Sequence, residues 1–176
     1  MLSTTALTAS AFLSLLPATI LPFRRPPARD ALFWGLLAVA IAGPVVWIWA
    51  MFAPGWRTGL APALWVTIAA SLAVFGLLSA CMRDVWRLAP LLLPYMMIIA
   101  FLATLWVHQP ERPLADQAPT AWVQFHILIS VVTYGLLTIG AISGFAVILQ
   151  ERALKRKRPG GFVRLLPSVA DGERIQ

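Results

Sequence analysis

Long uncharged apolar runs separated by short polar gaps make up most of this chain. Five of them are long enough to cross a bilayer: residues 2–23, 31–52, 62–82, 88–107 and 121–150. At about 1.5 Å rise per residue, roughly 20 apolar residues span a hydrocarbon core, so each run predicts one membrane-crossing helix. The runs are apolar on every face and lack the alternation of a transmembrane β-barrel strand. The expected fold is therefore all-α, a polytopic transmembrane bundle of about five spans over residues 1–150, with residues 151–176 forming a basic tail or a linker to further helices. Pro17, Pro44, Pro90 and Pro94 lie within the runs. Neighbouring helices can satisfy the carbonyls that proline frees, and kinks are expected near Pro44 and Pro94.

Composition reinforces this pattern. With 60% hydrophobic and 12% charged residues, the chain has more apolar surface than a soluble core of its 176 residues could hide. The net charge of +7 is confined to the gaps, which makes it a topology signal and not a nucleic-acid surface. The first run has no basic n-region. Arg24, Arg25 and Arg29 follow it, so it reads as a retained span and not a cleaved leader. Sorting the gaps by side leaves two Lys and Arg, Arg57 and Arg112, on one face of the membrane and twelve on the other. By the positive-inside rule the richer face, with the C-terminal tail, is cytoplasmic and the N-terminus lies outside.

Trp47, Trp49, Trp56, Trp65, Trp106 and Trp122 fall toward the outer interface, and Trp34 and Trp86 toward the inner one. An interfacial belt accounts for such placement, and a flat aromatic ligand near the outer surface would also suit it. Cys81 is the only cysteine, so the chain holds no internal disulfide, CxxC pair or CxxCH haem-attachment motif. Phosphate loops, HExxH helices and nucleophile elbows are also missing. The seven acidic residues lie in predicted gaps or at helix ends. Nothing here supports a hydrolytic or nucleotide-driven enzyme.

The two histidines are the remaining chemistry. His108 closes the fourth helix and His126 lies about one and a half turns into the fifth, so the intervening loop can return them to similar depth near the outer face. At about 100° per residue, His126, Ser130, Thr133, Leu137, Gly140 and Gly144 fall within roughly 40° of one line. This small, polar face is expected to point at protein, with Gly140 and Gly144 as a GxxxG step for close helix approach. Two readings of His126 stay open at this point. It is either a buried imidazole held by a neighbour such as the Ser130 hydroxyl, or an axial ligand to haem iron or another metal. His108, beside Pro110 and Glu111, reads as a solvated loop residue.

The segment WVQFHILISVVTYGLLTIGAISGFAVILQERALKRKR, followed by LLPSVADGERIQ, resembles the cytochrome c assembly protein family of CcsA, CcmC and HemX type. The matching features are Trp122 and His126, then Ser130 and Tyr134, small residues, Gln150 before a basic stretch, and finally Leu166, Pro167 and Glu173. The resemblance covers about the last third of the chain and implies a bacterial inner-membrane protein that binds haem and presents it for attachment to apocytochrome c. His126 would be the matching haem ligand, with His108 a second candidate. The family's tryptophan-rich WWD segment does not occur here, and its further helices would follow Gln176, so a truncated or split chain is expected. Some shorter relatives without WWD are associated with cation transport.

The sequence thus leads to an expected haem carrier or assembly factor for cytochrome c maturation, without catalytic side chains of its own. The alternative is a membrane subunit for cation or solute movement. Intramembrane acidic residues would favour that alternative, and none lies in mid-span.

Overall fold

A computed structural model describes residues 4–24, 28–53, 57–82, 84–107, 112–113 and 121–155. The five predicted spans are five helices: α1 Thr4–Arg24, α2 Ala31–Phe52, α3 Leu60–Cys81, α4 Ala89–Leu105 and α5 Ala121–Lys155. A short 3-10 turn, Val85–Leu88, leads directly into α4. All five spans are long and apolar enough to cross a bilayer, and the protein is an all-α membrane protein. Helix α5 continues to Lys155, so the basic segment begins as helix and not as tail. Pro17, Pro44 and Pro94 lie inside unbroken helices, whereas Pro90 occupies the first turn of α4, where its missing N–H costs no hydrogen bond.

Helices α1 to α4 form a four-membered ring in which α1 meets α2 and α4, and α3 meets α2 and α4. Helix α5 lies outside the ring against α3. Close approach of α1 and α2 depends on Gly43: a Cβ there would run into the Ser14 side chain and lie 3.3 Å from the Ala11 backbone. In lipid, where apolar burial gives helices little drive to associate, such small-residue contacts supply packing energy.

The connections sort to two ends. Residues Arg57–Thr58, after α2, pair antiparallel with Arg112–Pro113, after α4, which places both connections at the same end. At the opposite end, the Arg29 guanidinium after α1 donates to the Ala80 carbonyl in the last turn of α3 at 3.0 Å. Beside it, the Asp30 carboxylate caps α2 by accepting from the Phe33 N–H at 2.9 Å. Two ends divided this way match the sequence-based grouping of the gaps.

Two of the expected belt tryptophans are core residues instead. Trp47 and Trp65 are fully buried and stacked with centroids 5.5 Å apart, and the Trp47 indole donates to the Thr8 hydroxyl at 2.9 Å. A large apolar ring with one donor suits a bundle interior once a partner hydroxyl is supplied. Trp49, Trp106 and Trp122 remain exposed at the expected end. Trp34 and Trp86 are half-buried at the other end, under the Arg29 and Arg87 guanidinium groups respectively. Trp56 lies outside the described residues.

Candidate functional site

The imidazole of His126 belongs to an exposed residue on the outer side of α5. The Ser130 hydroxyl donates to the His126 backbone carbonyl at 2.8 Å and not to its ring, which overturns the reading of a buried imidazole held by that hydroxyl. Trp122 and Phe125 stand beside it, 75% and 54% exposed, with ring centroids 6.3 Å apart. An imidazole and two large rings therefore share one uncovered end of one helix. His108 lies outside the described residues, so its position relative to His126 is not part of this geometry.

The small, polar face of α5 also points differently from expectation. His126, Thr133, Leu137 and Gly140 are exposed, and Ser130 and Gly144 half-buried, so this face looks away from the ring of helices. A Cβ added at Gly140 would meet nothing within 4 Å. The face that α5 packs on the bundle is the opposite one, with Gly135, Ile139, Ser143, Ala146 and Gln150 buried. Gly135 rests on Ser71 of α3, where a Cβ would come 3.4 Å from the Ser71 Cα. The physical reason is local. Ser130, Thr133 and Thr138 donate their hydroxyls to the carbonyls four residues earlier, at 2.8, 2.9 and 2.8 Å. A hydroxyl satisfied inside its own helix does not need a protein neighbour.

Sequence reasoning missed two features. The first is a set of buried polar groups on α3 and α5, where the Ser71, Ser79 and Ser143 hydroxyls and the Gln150 carbonyl oxygen lack hydrogen-bond partners among the described residues. The eight-residue spacing of Ser71 and Ser79 could have flagged one helix face, but nothing in the pattern says which helix covers it. The second is a groove of about 330 Å³ between α4 and α5, lined by Tyr95, Tyr134, Leu137, Thr138, Ala141 and Ile142. Among the described residues no cluster of three or more metal-ligating side chains occurs.

An exposed imidazole beside two exposed aromatic rings is a donor set that a metal ion or a flat aromatic ligand could use.

No known protein family matches the chain, and no solved structure does. It is similar to a protein of Azospirillum brasilense described as the "uncharacterized 28.8 kDa protein in nifR3-like 5'region", with 45% identity over 172 residues. The likeness takes in 95% of this chain and 64% of that protein, so the chain spans less than two thirds of its relative's length.

Proposed function

We propose that this membrane protein binds haem through His126 and delivers it during cytochrome c maturation. It acts as a carrier or assembly factor for apocytochrome c and not as an enzyme. The observation that carries the reading is the exposure of His126 beside the exposed rings of Trp122 and Phe125. Packing uses the other face of α5, so bundle assembly does not account for this imidazole. The resemblance of residues 122–176 to cytochrome c assembly proteins supplies the biological role. The two-against-twelve division of basic residues supplies the orientation, with N-terminus outside and C-terminus cytoplasmic in a bacterial inner membrane.

In this reading the His126 imidazole would hold haem, and Trp122 and Phe125 would pack beside it. Haem, if bound there, would supply an iron that an imidazole can ligate. The chain's own contribution is to hold that imidazole at the outer end of a rigid helix. His126 lies nine residues before Gly135, about 14 Å along α5 at roughly 1.5 Å per residue.

The test is the visible spectrum of haem-loaded protein. His126→Ala is expected to abolish or strongly shift the Soret band, and His108→Ala to have the smaller effect. Because His126 is exposed, its loss should leave the amount of protein in the membrane unchanged. An unaltered spectrum in a well-expressed His126→Ala protein would remove the haem site.

A further inference from the structure

The chain has two tyrosines, on different helices, and the fold brings both to the same groove. Tyr95 is the central residue of the Val85–Leu105 span. Tyr134 precedes Gly135, which rests on Ser71, near the middle of the Leu60–Cys81 helix. Both phenols therefore sit near mid-depth, and both are exposed on the outside of the bundle, by 39% and 61%. Among the described residues neither hydroxyl has a hydrogen-bond partner. Thr138, the other polar group in the groove, has its hydroxyl committed to the Tyr134 carbonyl. The rest of the lining is Leu137, Ala141 and Ile142.

A phenol donor facing hydrocarbon needs an acceptor, because an unpaired polar group in an apolar medium is costly. Ordinary lipids cannot offer one at this depth. Their ester and phosphate oxygens lie at the interfaces, outside a core about 30 Å thick. A neighbouring transmembrane helix could offer only the second lone pair of carbonyls already bonded within that helix. What does carry acceptors into the centre of the bilayer is a hydrophobic molecule whose carbonyls are on its ring. The groove's volume of about 330 Å³ would take such a ring and the start of a tail, and its open side lets the remaining tail run along α5 in lipid.

We propose that the groove between α4 and α5 binds the ring of a quinone-class lipid, with Tyr95 and Tyr134 donating hydrogen bonds to ring carbonyls. This site is separate from the His126 end of the helix. Tyr134 is eight residues further on, about 12 Å at roughly 1.5 Å per residue. It therefore stands or falls independently of the haem reading.

Equilibrium binding of radiolabelled decylubiquinone to the full chain in nanodiscs tests it, with empty nanodiscs as the blank. Saturable binding above the blank is expected. Tyr95→Phe and Tyr134→Phe, which keep the ring and lose the donor, should each weaken it by about five- to tenfold. A decyl-chain analogue with a plain benzene ring should compete poorly. Absence of saturable binding overturns the proposal, as does undiminished binding by the double phenylalanine variant. A third arm addresses a helix as occupant. In a Cys81→Ser background, Leu137→Cys should not cross-link to a second copy while decylubiquinone is bound. Stoichiometric cross-linking that the quinone leaves unaffected assigns the groove to a dimer contact and overturns the proposal.

Discussion

Gly43 and Gly140 look alike in the sequence, each a glycine within an apolar span, yet their surroundings differ completely. Gly43 is where α1 and α2 touch, with Ser14 and the Ala11 backbone filling the space a Cβ would need. Gly140 faces open space. Gly43→Ala should therefore destabilise the bundle by about 1–3 kcal/mol, the usual cost of overpacking. Gly140→Ala should be neutral or slightly stabilising, because alanine is the better helix former. Thermal melts of the two proteins in the same detergent check this, and equal shifts would mean that the α1–α2 contact is not as close as described. His126 follows the same logic in reverse: its residue type was conspicuous from sequence, and its exposure was not.

At the scale of elements, α5 is the helix that differs from the other four. It packs on one side of α3, through Gly135, Ile139, Ser143, Ala146 and Gln150, and leaves the opposite side uncovered. The connections at the two ends make α3 and α5 parallel. Gly135 rests on Ser71, and a Cβ there would lie 3.6 Å from the Ser71 hydroxyl oxygen. Ser71→Cys combined with Gly135→Cys, in a Cys81→Ser background, should form a disulfide under mild oxidation. Ser71→Cys with Thr133→Cys should not, since Thr133, two residues from Gly135, is exposed on the opposite face of α5. The reverse result on a reducing-sensitive gel shift would mean that the small, polar face is the packed one after all. A hydrophobic-moment argument could not have decided this, because hydroxyls that bond within their own helix carry little information about which side faces protein.

For the whole molecule, the ladder between residues 57–58 and 112–113 and the Arg29–Ala80 hydrogen bond fix which connections share an end. By the positive-inside rule the end richer in Lys and Arg is expected in the cytoplasm. Arg24, Arg29, Arg87, Arg152 and Lys155 all belong to the end opposite that ladder. Reporter fusions after Ala115 and after Arg158 should report outside and inside respectively. Both reporters on one side would contradict a membrane crossing by α5, the one helix between them, and a clean exchange of sides would contradict the orientation alone.

Span number, helical class and the division of loops between two sides were legible in the chain because a bilayer imposes them residue by residue. Length of apolar run, absence of charge and placement of Lys and Arg are one-dimensional quantities. Side-by-side choices are not. Trp47 and Trp65 read as interfacial because depth along a helix is visible in sequence while rotation about its axis is not, and the Thr8 hydroxyl that allows Trp47 to be buried sits on another helix. The same limit turned the predicted packing face of α5 outward and concealed that Tyr95 and Tyr134 line one groove. In a helix that is apolar all round, which side meets a neighbour is set by small residues such as Gly43 and Gly135 that let backbones approach. Whether a given glycine does so depends on what lies across from it.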